Sequence, residues 1–379
     1  MNHPTATWWL QPRDSIMARN ARPADNTMTT LPFPWPSTLA GALRTHIGFA
    51  GGTKFSIDAK DARAISVQGP LLAERDGDTF RLLPPAPKDT LWMEIQGDPQ
   101  QARLYRLTPQ PVPEDVTLDT GFGDLELLTP NAATGKHKPT HGPMFWSWEH
   151  YQQWLLNPPQ NPITRHKTDH GVTALPQERR THVAIDPHTN TAQDGALFST
   201  EMLRFTILPP TTTGALELSK RRELGLLLRC QHKRLQAGTV ILGGERRLGA
   251  LKPTPHATWP AFPNNGQYKG CRRLRLILLT PAIFKNGFKP GSKTNEGLPK
   301  GARLVAAAVG RPEIISGWDI EKRQPKCTRR MASAGSVYWV ELDHGVDPDT
   351  WASNIWFKSI SDDPQDRMDG FGLCAVGRA

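Results

Sequence analysis

Hydrophobic and polar positions along the chain predict many short strands and few helices. Alternating or continuous apolar runs of strand length occur in TATWWLQP, ISVQGPLLAERDGDTFRLLPP, THVAIDP, LFSTEMLRFTIL, TVILGGERRLGAL, RRLRLILL and SVYWVEL. Apolar residues at helical spacing follow Ser37, Ser147 and Asp347, and each of these three residues is a favoured N-cap. A fourth helix is predicted over LELSKRRELGLLLRCQHKRLQ, where Gly225 interrupts the regularity.

The predicted elements follow the order β-α-β-β-α-β twice. This order predicts an α+β protein of two tandem ferredoxin-like domains, which we place at residues 1–190 and 191–379. The second domain carries an insertion at about 282–333 and ends in a glycine loop. A chain of 379 residues is long enough for two such domains, and its 35 prolines and 32 glycines indicate many loops and hairpin insertions.

The charge of the chain favours a polyanionic partner. It has 46 Lys and Arg against 36 Asp and Glu, a formal net charge of +10, which suits nucleic acid. No apolar run approaches membrane-spanning length, and the N-terminal stretch does not have the pattern of a signal peptide, so we expect a cytoplasmic protein that does not enter a membrane. The four cysteines are far apart in sequence and predict neither a zinc site nor a disulfide framework.

The stretch FPWPSTLAGALR predicts a helix start that could hold a phosphate. Its prolines bring the chain in extended to Ser37, and Thr38 and Arg44 fall off the apolar face of the helix. Unpaired amides at a helix N-terminus, beside hydroxyls and an arginine, suit an anion. An ordinary capped helix packed on a sheet explains the same residues.

Two arginine pairs lie beside predicted strands. Gly243-Gly244 followed by Arg246-Arg247 predicts a bulge with close backbone approach and phosphate contacts, or else a kinked edge strand with solvated charges. Arg179-Arg180 enter a strand of a basic hairpin that could clamp a nucleic-acid strand. The run around Lys326, Arg329 and Arg330 is either a partner surface or a solvated face.

The remaining motifs predict no cofactor, no metal site and no catalytic residues. The pairs His137/His141 and His166/His170 have metal-pair spacing, but Pro139 prevents a helix in the first and the second lies in a loop. The C-terminal DGFGLCAVGRA has too few residues after its glycines to form the helix of a dinucleotide site. It is either a glycine loop for close backbone approach or an ordinary turn.

The succession of these motifs resembles a known family. WWLQPRDSIMARNARP, FPWPSTLAGALR, VQGPLL, ERRTHVAID, ILGGERR, LLTPAIF, ISGWDIEKRQPKCTRRMASAGSVYWVEL and GFGLCAVG occur in order along the chain. They resemble the third RAMP subunit of the Cmr complex, the type III-B CRISPR effector of defence against foreign nucleic acid. The resemblance implies the RAMP fold and a non-catalytic subunit that binds the 5′ handle of the guide RNA. It also implies that this subunit anchors the large Palm-domain subunit beside the backbone RAMP subunit, and meets target RNA only indirectly.

The residues implied for RNA binding come from the matching motifs and from the basic run. They are Arg13, Arg19, Arg22, Ser37, Thr38, Arg44, Arg179, Arg180, Gly243, Gly244, Arg246, Arg247, Lys326, Arg329, Arg330, Gly370, Phe371 and Gly372.

Two other functions fit parts of the sequence. The first is a metal-independent RAMP endoribonuclease that processes CRISPR precursor RNA with a histidine near the first helix, where His46 lies. On helical spacing, however, His46 falls with Leu39, Leu43 and Ile47 on the apolar face, which favours a hydrogen-bonded core histidine. The second is a free-standing single-strand binding protein, which needs stacking aromatics on its sheet.

Overall fold

The computed structural model shows an α+β protein made mostly of strands, as the sequence predicts. It describes the chain except for residues 1–5, 20–26, 114, 117–122, 124, 209–220, 256, 258, 264–265, 292–297 and 320–322. All statements below concern the described residues.

The described elements alternate short helices with many strands. The elements of the first half are β1 Thr7–Pro12, β2 Thr27–Met28, α1 Pro36–Gly48, α2 Ala59–Ala64, β3 Val67–Asp76, β4 Thr79–Leu83, β5 Thr90–Ile95, β6 Asp98–Gln110, β7 Leu127–Pro130, β8 Pro139–Thr140, β9 Phe145–Trp146, α3 Trp148–Leu156, β10 Ile163–His166, α4 Lys167–His170, β11 Gly171–Val172 and β12 Gln177–Ile185. The elements of the second half are β13 Ala192–Leu203, β14 Thr206–Ile207, β15 Arg222–Cys230, β16 Gly238–Ile241, β17 Leu248–Pro253, β18 Arg273–Leu278, β19 Ala302–Ala308, β20 Glu313–Ile315, β21 Trp318–Asp319, β22 Gln324–Pro325, β23 Arg329–Met331, β24 Val337–Leu342, α5 Pro348–Ile355, β25 Lys358–Ser359, α6 Pro364–Met368 and β26 Leu373–Arg378.

The chain forms two compact units that interleave in sequence. Unit 1 consists of residues 1–81, 174–258 and 314–329, and unit 2 consists of residues 82–173, 259–313 and 330–379. The predicted halves, 1–190 and 191–379, were continuous, so these units are a different division of the chain. The difference arises because β1, near the N-terminus, pairs with β15 and β17 from the middle of the chain.

Unit 1 is built on an antiparallel sheet in the order β16-β17-β1-β15-β3-β4, with β14 also paired to β15. The predicted strands TATWWLQP and the hairpin β3–β4 are confirmed. The helix predicted over 216–236 is wrong where the structure describes it, because residues 222–230 are the strand β15. Its leucines are buried on both faces between β1 and β3, and such a continuous apolar run is typical of a central strand.

Helix α1 lies between β1 and β3 in the chain and packs against β3 and β16. It confirms the predicted helix, but it starts at a different residue. Trp35 occupies the N-cap position and Pro36 the first helical position, where a proline loses no hydrogen bond. The prediction that Ser37 caps the helix is therefore wrong, since Ser37 lies inside the first turn. Leu39, Leu43 and Ile47 are buried, as their spacing predicts.

Two hairpins of unit 1 correct the predicted strand pattern. THVAIDP does form a strand, β12, but it pairs with β13 in the separate sheet β12-β13-β2 and does not close the sheet of β1. The two glycines of ILGGERR lie in the turn between β16 and β17 and not in a bulge within one strand.

Unit 2 contains the antiparallel sheet β19-β24-β18-β26-β25 and helix α3, which packs against β26. A fully buried ion pair attaches the helix to the sheet: Arg275 on β18 donates to the carboxylate of Asp89 and to the carbonyl of Trp154. Asp89 also accepts a hydrogen bond from the Trp154 indole at 2.9 Å. Helices α3 and α5 are confirmed, and Asp347 caps α5 as predicted by accepting from the Thr350 amide at 2.8 Å.

The tandem ferredoxin-like arrangement stays a prediction. In unit 1 the connection from β15 to β17 runs through the strand β16, and the structure describes no helix there. In unit 2 no helix is described between β18 and β19. Each unit thus has one of the two crossover helices that the predicted pattern requires.

Candidate nucleic-acid interface

Three segments distant in sequence meet at one end of the unit 1 sheet. The segment after β1 forms bridges with Leu203 of β13, through Ile16, and with Gly244 of the β16–β17 turn, through Met17. The Arg13 amide donates to the Leu248 carbonyl at 2.9 Å. The end of β1, the start of β12 and the β16–β17 turn are therefore held side by side.

The β16–β17 turn has an unusual backbone. Gly243 has φ 72° and lies so close to the Met17 carbonyl that a Cβ at this position would clash with it. Farther along the same turn, Glu245 and Arg246 have φ 55° and 52°. This left-handed conformation costs free energy for residues other than glycine. The predicted close backbone approach at this glycine pair is thus present within the chain itself.

Asp14 is the centre of an ion-pair network that joins the three segments. Its carboxylate accepts from Arg180 Nη2 at 3.2 Å and from Arg247 Nη1 at 2.9 Å. Glu178 accepts from Arg180 Nε and from the Ser15 hydroxyl. Glu245 accepts from Arg247 Nη2 at 2.8 Å. We call these residues (Asp14, Ser15, Glu178, Arg180, Glu245 and Arg247) the Asp14 network.

Hydrogen bonds within the network favour the ionised forms of Asp14 and Glu178 and the charged form of Arg180. The Ser15 amide and the arginines Arg180 and Arg247 lower the pKa of Asp14, and Arg180 followed by Ser15 lowers the pKa of Glu178. Glu178 and then Asp14 raise the pKa of Arg180.

In each predicted arginine pair, one arginine belongs to the Asp14 network and the other does not. Arg180 and Arg247 are engaged by carboxylates, whereas the exposed side chains of Arg179 and Arg246 make no hydrogen bond or ion pair with the described residues. The same holds for Arg13 and Arg19, whose side chains are also exposed. Successive residues of a strand point to opposite faces, so Arg179 and Arg180 face opposite sides of the hairpin.

The start of α1 follows this region in the chain. Arg19 forms a bridge with Thr30, six residues before the helix begins at Pro36. Ser37 and Thr38 are half-buried, and no side chain caps the first turn among the described residues. The Thr38 amide in this turn donates to the Trp35 carbonyl at 3.0 Å.

Arg44 does not belong to this surface. Its guanidinium donates to the carbonyl of Ile65 at 2.8 Å and to that of Arg63 at 3.3 Å, at the end of α2. The prediction that Arg44 presents a charge beside the helix start is wrong because the side chain ties α1 to the α2–β3 connection.

The terminal loop also departs from its prediction. Phe371 is 1% exposed, and Gly370 and Gly372 are buried in unit 2. The Gly370 carbonyl accepts from the Thr280 hydroxyl at 2.7 Å, and a Cβ on Gly372 would lie 2.6 Å from the Ser361 amide. The close backbone approach expected of these glycines occurs inside the chain, so the loop does not offer the predicted RNA-binding surface.

The other predicted residues are not joined to the Asp14 network by any contact described in the structure. Lys326, Arg329 and Arg330 lie on an exposed segment with β22 and β23, and Arg22 lies outside the described residues. His46 is half-buried, with Nε2 3.1 Å from the Gln236 carbonyl. Of the histidine pairs, His170 is buried among aromatic rings, and the described residues contain no group of three or more His, Cys, Asp or Glu that could hold a metal.

Sequence reasoning found the arginines of this site but missed its acids. Asp14, Glu178 and Glu245 each lie within two residues of a predicted arginine. Alternating acids and arginines in PRDS, QERR and GGERR were a signal that some of these arginines are paired within the chain.

Comparison with known proteins places the chain in a family. The model of the family described as CRISPR-associated protein (Cas_Cmr3) matches residues 8–379. The chain belongs to this family. The resemblance seen in the sequence is thereby confirmed at the level of the Cas_Cmr3 family.

Solved structures and curated proteins add little to this assignment. The chain is similar to a chain in a cryo-EM structure of the type III-B Cmr-beta bound to cognate target RNA and AMPPnP, with 14% identity, coverage of 88% of this chain and 86% of that chain, and a TM-score of 0.47. A second structure, of Cmr-beta bound to cognate target RNA, has 14% identity, the same coverages of 88% and 86%, and a TM-score of 0.45. No curated protein matches. No helix among the described residues is long and apolar enough to cross a membrane.

Proposed function

We propose that this Cmr3-family chain is a non-catalytic RNA-binding subunit of a type III-B effector. In this proposal it is the third RAMP subunit, it holds the 5′ handle of the guide RNA, and it anchors the large Palm-domain subunit beside the backbone subunit. The observation that carries the RNA-binding role is the convergence of three arginine-bearing segments around Asp14, which leaves Arg13, Arg179 and Arg246 exposed.

The chemistry of this surface suits an RNA backbone. The exposed guanidinium groups can each donate two hydrogen bonds to one phosphate, and the net charge of +10 attracts the RNA over longer distances. We propose that the handle binds mainly through its phosphates, with polar groups nearby reading bases that are unstacked.

The proposed RAMP fold rests on strand order. Four strands of unit 1 are counted in chain order: β1 is the first, β3 the second, β15 the third and β17 the fourth. Across the sheet they lie side by side as β17-β1-β15-β3, that is fourth, first, third, second. In unit 2 the strands β18, β19, β24 and β26 follow the same order. We propose that each sheet is a ferredoxin-like domain in which one helix has been replaced, and that α3 fills the missing position in unit 2.

The test is a salt titration of RNA binding. Single variants Arg13→Ala, Arg179→Ala and Arg246→Ala are titrated with a handle RNA and a scrambled RNA, and Arg311→Ala serves as a control at an exposed arginine of unit 2. We expect each site variant to lose about 10- to 100-fold in affinity for both RNAs, with a salt slope lower by about 0.7. Unchanged binding by all three site variants would contradict the proposed interface.

A further inference from the structure

The Asp14 network holds the backbone of two segments that carry exposed arginines. Asp14 contacts Arg180, whose neighbour Arg179 is exposed, and Arg247, whose neighbour Arg246 is exposed. These contacts span 166 and 233 residues of sequence, so nothing local in the chain fixes the distance between the two exposed arginines.

We propose that Asp14 is a positioning residue of the RNA-binding surface. By holding Arg180 and Arg247 it sets the orientation of β12 and of the β16–β17 turn, so that Arg179 and Arg246 are presented to the RNA. This inference rests on the proposed RNA-binding function.

The geometry of β12 supports this role. Arg180 is fixed on one face of the strand by Glu178 and Asp14, which directs Arg179 to the opposite face. The Ser15 hydroxyl donates to Glu178, so residues 14 and 15 both contact the strand. A rotation of the strand that moved Arg179 would break these bonds.

The β16–β17 turn depends on outside support in the same way. Glu245 and Arg246 have positive φ, a conformation that persists only when the surroundings impose it. The supports are the Gly244 amide bond to the Met17 carbonyl at 2.8 Å and the pair between Arg247 and Asp14. Without Asp14, the one carboxylate that still pairs with Arg247 among the described residues is Glu245, which lies in the turn itself.

The charges of the network argue against Arg180 and Arg247 as the direct phosphate ligands. Three carboxylates, those of Asp14, Glu178 and Glu245, surround the two arginines, so a phosphate placed there would meet an excess of negative charge. If Asp14 did no more than add negative charge near the RNA, its removal would strengthen RNA binding. If it positions Arg179 and Arg246, its removal weakens binding. The two roles predict opposite signs.

The experiment is Asp14→Asn in the full chain, titrated with a 5′-handle RNA oligonucleotide, with Asp343→Asn as a control for loss of one exposed carboxylate. We expect the affinity of Asp14→Asn to fall about fivefold or more, and that of Asp343→Asn to stay the same or rise slightly. In the background of Arg179→Ala and Arg246→Ala together, Asp14→Asn should have little further effect, because the groups it positions are gone. A role in stability alone would give the same loss in both backgrounds.

Two outcomes would overturn the inference. One is an Asp14→Asn protein, with the circular dichroism spectrum of the wild type, that binds the RNA as tightly as or more tightly than the wild type. The other is an equal loss with and without the exposed arginines. If Asp14→Asn does not fold, Glu178→Ala removes the other carboxylate that accepts from Arg180 and must weaken binding in the same direction. Failure of the wild type to bind RNA would instead contradict the proposed function.

Discussion

Single arginines in this chain have different roles that their sequence context does not distinguish. Arg44 lies in the motif FPWPSTLAGALR, for which a phosphate site was one of two predicted roles, yet its guanidinium donates to the carbonyls of Arg63 and Ile65. Arg179 and Arg246 differ from their neighbours Arg180 and Arg247 only in facing away from Asp14. An arginine count thus overstates the charge that is open to a partner.

The role of Arg44 gives a prediction about stability. Arg44→Ala should lower the free energy of unfolding by about 1 to 2 kcal/mol, because hydrogen bonds from a charged donor to two carbonyls are lost. Urea unfolding measures this change, with Thr45→Ala, an exposed position on the same helix, as the control. RNA affinity of the folded variant should be unchanged. A variant of normal stability that has lost RNA binding would restore the original hypothesis that Arg44 faces the RNA.

The sequence predicted the arginines of the candidate interface, whose role in RNA binding stays a prediction, but not which of them pair with acids and which are exposed. Glycine pairs and arginine pairs are visible in the letters, and their grouping in unit 1 is found in the structure. Which arginine of a pair faces the solvent depends on the register of β12 against β13 and on the turn conformation of residues 243–247. Both are set by pairing with distant segments, which a single sequence does not specify.

At the level of elements, the spacing of apolar residues distinguished helices from strands only where one face of the element is exposed. Helices α1, α3 and α5 each have one buried face and were predicted. Residues 222–230 lie between two strands and are apolar on both faces, so their leucines fit a helix and a strand equally well by spacing. The buried position of β15 depends on its pairing with β1 and β3.

The short helix α4 ends in a histidine with a testable pH dependence. His170 is 3% exposed, stacks on His150 with ring centroids 4.2 Å apart, and has an edge-to-face contact with Trp146 at 4.3 Å. Burial, followed by the charges of His150 and Arg165, lowers the pKa of His170 to about 3. The unfolded chain therefore takes up a proton at this residue well before the folded chain does.

The free energy of unfolding should consequently fall as the pH drops below about 6.5, the pKa of His170 in the unfolded chain. Above that pH the contribution of neutral His170 to stability should be fully present. Between pH 7 and pH 5.5 the loss due to His170 should be about 1 kcal/mol. Urea unfolding at the two pH values measures it, with His170→Phe as the comparison because this variant keeps an aromatic ring and cannot titrate. An equal pH dependence in both proteins would show that folding does not lower the pKa of His170.

At the scale of the whole molecule, the segments of the two units alternate along the sequence: residues 82–173 belong to unit 2, and residues 174–258 belong to unit 1 again. Strand β1 is completed by β15 and β17 only after residues 82–173 have entered unit 2. The sequence pattern predicted most of the long strands but took β15 for a helix, and it grouped neighbouring elements into two continuous halves. The pairing of β1 with residues more than 200 positions away carries no local signal.

The non-catalytic role that we propose predicts that the purified chain leaves RNA intact. In His46, the histidine of the endoribonuclease alternative, Nε2 donates to the Gln236 carbonyl at 3.1 Å, which orients the half-buried ring and leaves Nδ1 as the nitrogen that a general base would use, so the assay tests this residue directly. We expect repeat-containing precursor RNA to stay uncut after incubation with the protein, with or without divalent metal, as judged on denaturing gels.

His46→Ala is the matched variant: specific cleavage by the wild type that this variant loses would make the chain a processing enzyme. Binding of handle RNA without cleavage, weakened by Arg246→Ala and not by His46→Ala, would separate the RNA surface from any histidine chemistry and support the assembly role.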